Sequence, residues 1–370
     1  MNRVGARGSD GRGPVNGAGT RGRGARGASG PTVREVAAES GVSIATVSRV
    51  LNDSPNVSDP TRELVLDAVR RLGAPGQAAR GTASPAGRRP RPLSGAVFVR
   101  CPYLLTDYFG LIVSSVAETL QWHGRAMLLD AGEASYRARV LADLPDRDGV
   151  AGAILLLPPE GSGELLALRR RGLPFVVVDP RTPLPRDVAA VSAANVSGAR
   201  QATTHLLELG HRRIGVLAGP VGWAATDGRD AGHAAALADL GLLQDPALVR
   251  HLEPTVQDGL RAARELLDRP DRPTAIVAFN DKIAVGVLQA AGALGLRVPR
   301  DLSVTGFDDI DLAGATDPML TTVRQPLTEM GRMAVSLLIR LLDGHDVDAM
   351  TVELATELVV RDSTAPPSRG

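Results

Sequence analysis

The chain has 370 residues, 44% of them hydrophobic and 22% charged, which is an ordinary composition for a globular protein. This length exceeds one typical domain and suits two or three. The net charge is only +1, so attraction to nucleic acid must come from local clusters of positive charge. Cys101 is the one cysteine, which excludes an internal disulfide and a cysteine-cluster metal site. We expect a cytoplasmic protein, because the first residues carry no apolar signal segment and no apolar run is long enough to cross a bilayer.

Residues 1–30 are rich in glycine and arginine and contain few apolar side chains. Too little apolar surface is available there to offset the entropy of ordering the chain, so we predict a disordered tail. Two GxGxxG matches, starting at Gly17 and Gly22, neither follow a strand pattern nor open a helix pattern, which argues against a dinucleotide site. A solvated leader and a weak, nonspecific DNA-binding arm both stay open as interpretations of this tail.

A helical block is predicted for residues 31–73. Thr32 to Glu35 reads T-x-x-E, the spacing of a capping box that opens a first helix. Gly41 then makes a tight turn, Ser43 can cap a second helix, and residues 58–73 fit a third. Two helices joined by a glycine turn are typical of a helix-turn-helix motif. A small helical bundle with no role on DNA is the alternative interpretation.

The second helix of this block has one apolar face and one face of small and polar side chains. Ile44 and Ala45 suit contact with thymine methyl groups, and Arg49 can donate two hydrogen bonds to a guanine in the major groove. The other polar side chains suit phosphates or further base edges. The DNA-contacting candidates on this face are Ser43, Ile44, Ala45, Thr46, Ser48, Arg49 and Asn52.

Residues 74–92 form a second stretch rich in glycine, proline and arginine, which is typical of a linker. From Leu93 onward, short apolar runs such as GAILLLP and PFVVVD alternate with helical patterns. This alternation predicts parallel sheets that are covered by helices on both faces. The length of chain beyond Leu93 suits two lobes of this kind.

Polar side chains recur directly after the apolar runs. Asp179 follows FVVV, and Asp308 follows SVTGF. Asn280 and Asp281 follow AIVAF in the same way. In an open parallel sheet these positions lie at the carboxyl ends of the strands, where ligands bind. The repetition predicts a cleft for a small molecule with hydroxyl or amino groups, although each residue alone can equally cap a helix or form a turn.

The segment TVREVAAESGVSIATVSRVLNDSPNVSDPTRELVLDAVRRLG closely resembles the DNA-binding domain of the lactose/galactose repressor (LacI/GalR) family, without a gap. Farther along, HLLELGHRRIGVLAGP, PTAIVAFNDKIAVGVL and GLRVPRDLSVTGFDDIDLA resemble the effector domain of the same family. That domain is similar to periplasmic sugar-binding proteins. The resemblance implies an α/β chain with an N-terminal all-α helix-turn-helix domain, followed by a two-lobed effector domain with parallel sheets.

On the DNA side, the resemblance implies that Ile44 and Ala45 occupy positions where the residue type varies among family members with the operator sequence. It also implies that Arg49 reads a base. It adds Thr32, Val33, Asn56, Arg80 and Thr82 to the DNA-binding candidates. The linker aligns with the family's hinge if one residue is deleted. Gly76 then replaces the asparagine of the family, and Thr82 replaces the leucine that wedges into the minor groove. Because glycine weakens a helix and threonine is a poor wedge, we expect a smaller or absent DNA kink. A linker that is simply flexible is the alternative.

On the effector side, the resemblance implies that Arg229 anchors ligand oxygens, and that Asp281 and Asp308 accept hydrogen bonds from ligand hydroxyls. Gln325 would lie at the crossover between lobes, and the two rings of TDYFG would lie in a pocket loop and pack on a ligand face. Trp223 stands where small polar residues are common in the family. The effector-binding candidates are Tyr108, Phe109, Asp179, Arg181, Trp223, Arg229, Asn280, Asp281, Asp308 and Gln325.

The predicted domain limits follow from these patterns. They are a tail at 1–30, a helix-turn-helix domain at 31–73, a hinge at 74–92, an effector and dimerisation domain at 93–362, and a disordered tail at 363–370. Within the effector domain, lobe 1 is expected at about 93–193 and 325–352, and lobe 2 at about 194–324 and 353–362.

The predicted function is that of a transcriptional repressor, a homodimer that binds a pseudo-palindromic operator and responds to a small-molecule effector. We expect a sugar as the effector, with a nucleobase or nucleoside as the second choice. A periplasmic-type solute-binding protein is the alternative, but it leaves the helical block without a purpose. Neither a cofactor nor catalysis is expected, because the six histidines lack metal-ligand spacing and no nucleophile set accompanies the carboxylates.

Overall fold

The computed structural model describes residues 33–43, 46, 47, 50, 58–73, 95–132, 140–345 and 351–368. The chain divides into two compact units, Met1–Gly87 and Arg88–Gly370. The predicted tail at 1–30 and the predicted hinge at 74–92 lie outside the described residues.

The N-terminal unit contains the helices α1 (Val33–Ser40) and α2 (Asp59–Gly73). Gly41 ends α1 with a φ of +71°, a conformation that glycine adopts without the steric cost of a Cβ atom. The Ser43 hydroxyl then accepts a hydrogen bond from the Thr46 amide at 3.1 Å, which is the capping contact expected at the start of a second helix. The small core of this unit consists of Val36, Val47, Val50, Val65 and Ala68.

The first sheet of the larger unit, lobe 1, is entirely parallel, in the order β11-β5-β4-β3-β1-β2. Its strands are β1 (Ala96–Cys101), β2 (Met127–Ala131), β3 (Val150–Leu156), β4 (Phe175–Val178), β5 (Ala189–Ala193) and β11 (Thr351–Leu354). The helices α3 (Asp107–Trp122), α4 (Val140–Asp143), α5 (Ser162–Arg170) and α11 (Leu327–Leu342) belong to this lobe. Strands such as β4 are buried along their whole length, as expected for a sheet with helices on both faces.

The second sheet, lobe 2, has the order β12-β10-β9-β8-β6-β7 and is parallel except for β12, which runs antiparallel to β10. Its strands are β6 (Ile214–Ala218), β7 (Val249–His251), β8 (Ala275–Ala278), β9 (Ser303–Asp308), β10 (Thr321–Arg324) and β12 (Glu357–Val359). Its helices are α6 (Asn195–Glu208), α7 (Ala224–Ala238), α8 (Val256–Leu267), α9 (Asp281–Ala293) and α10 (Asp311–Ala315).

The chain crosses between the two lobes three times. The crossings follow β5, β10 and β11, and each lobe completes its sheet with a strand from the C-terminal part of the chain. Short connections of this kind are where two lobes rotate about a hinge.

The C-terminal segment differs from the sequence prediction. Residues 363–368 are not a disordered tail, because they pack on lobe 2. The buried Ser363 hydroxyl donates to the Val304 carbonyl at 2.6 Å and accepts from the Thr321 amide at 2.8 Å. The Ala365 carbonyl lies 2.9 Å from Nε2 of the buried His211. The composition of this segment suggests disorder, but its polar atoms satisfy buried groups of the β9 and β10 region.

Candidate functional site

A cleft of about 650 Å³, including its open mouth, lies at the carboxyl ends of both sheets. Both lobes line it, in keeping with the position of ligand sites in open parallel sheets. Leu157, Asp179 and Asp308 have φ values of +41°, +52° and +117°, which side chains other than glycine rarely adopt. Strained residues at the ends of three strands are typical of a functional site.

Lobe 1 contributes a wall of aromatic rings. Tyr103 and Phe109 are stacked, with their ring centroids 4.7 Å apart and their planes 4° from parallel. Tyr108 meets Phe109 edge to face at 5.1 Å, and its hydroxyl donates a 2.8 Å hydrogen bond to Asp179. Tyr108 and Phe109 lie in the first turn of α3, whereas the resemblance placed them in a loop. The helix fixes both rings beside the carboxylate.

Lobe 2 contributes a buried guanidinium. Arg229, in α7, is only 8% exposed. Its Nε donates to Asn195 at 2.8 Å and its Nη1 donates to the carbonyl of Phe279. The guanidinium lies between two rings, 4.2 Å from the Phe279 centroid and 3.7 Å from that of Phe307. Stacking and hydrogen bonds together hold the Arg229 guanidinium in one orientation, which suits the recognition of ligand oxygens.

Asp308 faces Arg229 at the end of β9. One Asp308 oxygen lies 4.0 Å from Arg229 Nη2 and accepts a 2.7 Å hydrogen bond from Gln325. Burial raises the pKa of Asp308 to about 7, although the charge of Arg229 and the hydrogen bond from Gln325 act in the opposite direction. Burial also lowers the pKa of Arg229, which Asp308 and Asp179 partly offset. Protonation of Asp308 is therefore more favourable than that of an exposed aspartate.

The Tyr108–Asp179 pair in lobe 1 is desolvated as well. Burial raises the pKa of Asp179, while the hydrogen bond from Tyr108 and the charge of Arg229 lower it. Burial also raises the pKa of Tyr108 well above its usual value, and the neighbouring carboxylates of Asp179 and Asp308 raise it further. Tyr108 therefore stays a neutral donor.

Most of the predicted effector-binding residues line this cleft. They are Tyr108, Phe109, Asp179, Trp223, Arg229, Asn280, Asp308 and Gln325. The Asn280 side chain also caps α9 by accepting a 2.9 Å hydrogen bond from the Ile283 amide.

Two predicted residues do not line the cleft, and the structure corrects their assignment. Asp281 is fully buried, and its oxygens accept hydrogen bonds from the Ile310 amide at 3.0 Å and the Thr322 hydroxyl at 2.5 Å. Asp281 therefore stabilises the turn between β9 and α10 and does not face the cleft. Arg181 has its guanidinium carbon 4.9 Å from the centroid of the Trp223 ring and is absent from the cleft wall.

Sequence reasoning also missed part of the wall. The additional lining residues are Tyr103, Leu157, Ala225, Pro254, Phe279, Lys282 and Ile310. Phe279 was hidden inside an apolar strand run, although its place next to Asn280 was a usable signal. Lys282 is the one lysine of the chain, and its Nζ donates to the Thr106 hydroxyl of the other lobe at 3.2 Å.

Few of the predicted DNA-contacting residues can be located. Val33 is the first residue of α1, Ser43 is exposed, and Thr46 is half-buried. The others lie outside the described residues, namely Thr32, Ile44, Ala45, Ser48, Arg49, Asn52, Asn56, Arg80 and Thr82. Among the described residues, no group of three or more metal-ligating side chains forms a site, and no helix is long and apolar enough to span a membrane.

Comparison with known proteins is consistent with both units. Residues 32–73 match the model for bacterial regulatory proteins of the lacI family, and residues 203–364 match that for a periplasmic binding protein-like domain. The transcriptional repressor CytR of Escherichia coli (strain K12) is 34% identical over 338 residues, which cover 90% of this chain and 96% of the repressor. The regulator CelR of Thermobifida fusca is also 34% identical, over 90% of this chain and 98% of its own length.

Solved structures agree with this relationship. A complex of the regulator CelR with cellobiose superimposes with a TM-score of 0.68 at 33% identity, covering 90% of this chain and 99% of that chain. The lac repressor dimer bound to operator and the anti-inducer ONPF gives a TM-score of 0.65 at 27% identity, covering 91% of this chain and all of that chain. The predicted resemblance and fold class are confirmed. The chain belongs to the lacI family of bacterial regulatory proteins and is a DNA-binding transcriptional regulator.

Proposed function

We propose that the chain is a repressor whose affinity for operator DNA is set by a sugar bound in the cleft between the two lobes. The observation that carries this proposal is the pairing of stacked aromatic rings on lobe 1 with a buried guanidinium on lobe 2. The apolar C–H faces of a sugar ring pack on aromatic rings, and its hydroxyls bond to charged groups. A relative in complex with cellobiose supports the same ligand class.

A nucleoside is the second candidate, favoured by the number of rings in the cleft. Five of the ten aromatic residues of the chain line it: Tyr103, Tyr108, Phe109, Trp223 and Phe279. A base can stack on such rings, and the Asp179 and Asp308 carboxylates can accept hydrogen bonds from amino groups. Titration with both ligand classes separates the two candidates.

The DNA-binding half of the proposal rests on the helical block. The predicted face around Ile44, Ala45 and Arg49 reads the operator, and the predicted domain limits apply except for the tail beyond residue 362. One such helix reads only a few base pairs, so two copies on a pseudo-palindromic operator are required for useful specificity. The similarity to the lac repressor, whose dimer has been solved on its operator, supports pairing with a second copy.

Catalysis is not part of the proposed function. The carboxylates of the cleft are paired with Tyr108, Gln325 and Arg229 and not with a nucleophile, so they suit binding. A regulator of this family acts on the chromosome, and the cytoplasm is therefore its proposed location.

The test is fluorescence anisotropy of the full chain on a duplex from the region upstream of its own gene, at one fixed salt concentration. We expect tighter binding than to a random duplex, and a change in affinity of about 5- to 150-fold on addition of a sugar such as cellobiose or ribose. A response to nucleosides alone would replace the sugar by the second candidate. Equal affinity for both duplexes, with and without ligands, would refute the proposal that the chain binds an operator in this upstream region.

A further inference from the structure

Arg181 lies outside the cleft wall but connects the two lobes. It follows β4 of lobe 1 by three residues, after the strained turn at Asp179. Its carbonyl accepts a 2.8 Å hydrogen bond from the amide of Ala224, the first residue of α7 in lobe 2. That amide belongs to the first turn of a helix, where no partner exists within the helix itself. The backbone of Arg181 therefore completes a helix end in the opposite lobe.

The side chain of Arg181 reaches the same place. Its guanidinium carbon lies 4.9 Å from the centroid of the Trp223 ring, within the range of a cation–π contact. Trp223 is only 9% exposed, lines the cleft, and meets Phe279 edge to face at 6.4 Å. The ring is thus held from two sides, by a cation from lobe 1 and by a ring of its own lobe.

A second contact between the lobes involves Lys282, in the first turn of α9 in lobe 2. Its Nζ donates to the hydroxyl of Thr106, which directly precedes α3 in lobe 1. This contact shares no residue with Arg181 and Trp223. It therefore provides an independent report of whether the lobes are together.

We propose that Arg181 is a positioning residue which, through Trp223, holds the two lobes closed over the cleft. The pair is referred to below as the Arg181–Trp223 clasp. By stabilising the closed arrangement, the clasp raises affinity for the effector although Arg181 is not among the residues that line the cleft. Its effect on the effector rests on the proposed function, whereas the closure itself does not.

The clasp predicts one effect that simple shielding of the Trp223 ring by Arg181 does not predict. If Arg181 only shields the ring, its removal exposes Trp223 and leaves Lys282 unaffected. If Arg181 holds the lobes together, its removal also frees Lys282 from Thr106. Because Lys282 is the one lysine, acylation of its amine marks a single position, and peptide mass mapping separates it from the amino terminus.

The experiment uses the full chain with Trp122→Phe, which removes the other tryptophan at a site that is 71% exposed. In this chain we measure acrylamide quenching of Trp223 and the rate of Lys282 acylation by an acetyl ester, without ligand. Arg181→Ala is expected to raise both by about 3- to 10-fold, the change that loss of one cation–π contact gives in a two-state equilibrium. Arg181→Lys, which keeps the cation, is expected to restore much of the protection.

Arg186→Ala is the matched control, because Arg186 is an exposed arginine in the same loop. We expect it to behave like the parent chain in both measurements. If Arg181→Ala fails to fold, Trp223→Leu tests the clasp through Lys282 acylation alone, with the same expected increase.

An unchanged rate of Lys282 acylation in folded Arg181→Ala would overturn the clasp, even with Trp223 exposed. A rate raised equally by Arg186→Ala would overturn it as well. Cellobiose and uridine are added afterwards as probes. If neither changes DNA affinity while Lys282 responds to Arg181→Ala, the proposed sugar and nucleoside effectors fail and the clasp stands.

Discussion

The two lobes share one arrangement of strands but bring different chemistry to the cleft. Five of the six strands of each sheet follow the same relative order, and each sheet takes its sixth strand from the C-terminal part of the chain. Lobe 1 contributes mainly rings, with the carboxylate of Asp179 beside them, whereas lobe 2 contributes the charges of Arg229, Lys282 and Asp308. A repeated topology thus fixes where a site lies, and the residues at the strand ends decide which lobe anchors the ligand.

The largest effect is expected from the lobe 2 anchor. Arg229→Ala should weaken binding of the effector found by titration more than 100-fold, about 3 kcal/mol, because it removes charged hydrogen bonds in a desolvated site. Asp179→Asn in lobe 1 should cost about 10-fold, since the amide keeps one acceptor for Tyr108. Isothermal titration of both variants makes the comparison.

Arg264→Ala is the control for lobe 2, since Arg264 lies exposed on α8 and should leave effector affinity unchanged. Operator binding without effector should persist in all three variants, provided that their melting temperatures show folded protein. If Asp179→Asn cost more than Arg229→Ala, lobe 1 and not lobe 2 would be the anchor.

The alternation of strands and helices, and the polar residues at strand ends, were predictable from the sequence because backbone periodicity sets both. The direction of an individual side chain was not. Asn280 and Asp281 are adjacent, yet Asn280 lines the cleft while Asp281 turns behind it. At the start of a helix, successive side chains point about 100° apart, so adjacency in sequence says little about a shared surface.

The roles of residues that depend on a partner far away in the chain could not be predicted from the sequence either. Tyr103 looks like an ordinary apolar residue until Phe109 stacks on it. Ser363 belongs to a stretch of serine, threonine and proline, and only the fold brings the Thr321 amide to its hydroxyl. Composition describes the segment by itself, whereas order depends on what the segment satisfies elsewhere.

Helix packing provides the next test, because in each lobe a glycine lets two helices approach each other closely. In lobe 2, a Cβ on Gly259 would lie 2.6 Å from the Ile283 carbonyl oxygen. In lobe 1, a Cβ on Gly331 would lie 2.8 Å from the Ile112 carbonyl oxygen. Alanine at either site should destabilise its lobe by about 3 kcal/mol, because backbone atoms cannot move aside cheaply.

Urea unfolding, with hydrogen exchange to localise the loss to one lobe, measures both glycine variants. Gly292→Ala is the matched control, since nothing lies within 4 Å of a Cβ there and the residue is in helix α9. We expect it to stabilise the chain by about 0.5–1 kcal/mol through helix propensity. A loss spread evenly over both lobes would contradict their independent packing.

The C-terminal segment, which packs on lobe 2, predicts a smaller and one-sided effect. Ser363→Ala leaves the buried Thr321 amide and Val304 carbonyl without their partner, and should cost about 2 kcal/mol in lobe 2. Ser368→Ala, at an exposed site of the same segment, should cost less than about 0.5 kcal/mol. Equal losses in the two variants would mean that the segment contributes only nonspecific cover.

Acid sensitivity should also separate the lobes. The lobe 1 histidines, His123 and His345, are exposed, whereas His233 in lobe 2 is buried, with its ring nitrogen Nδ1 2.8 Å from the Thr203 hydroxyl. Burial lowers the pKa of His233 to about 4 from its usual 6.5. Between those values the unfolded chain binds a proton that the folded chain does not, so the free energy of unfolding falls as the pH falls.

From pH 6.5 to about 5.5 this loss should amount to about 1 kcal/mol for a single group with this shift. Asp308 acts in the opposite direction, since its raised pKa favours the folded state as the pH falls through 7. The wild type is therefore compared with His233→Gln, in which Asp308 is unchanged and the difference in slope belongs to His233. Urea titrations over this range should show a shallower loss for the variant. Identical slopes would mean that the folded chain protonates His233 as readily as the unfolded chain does, which would contradict the lowered pKa of this residue.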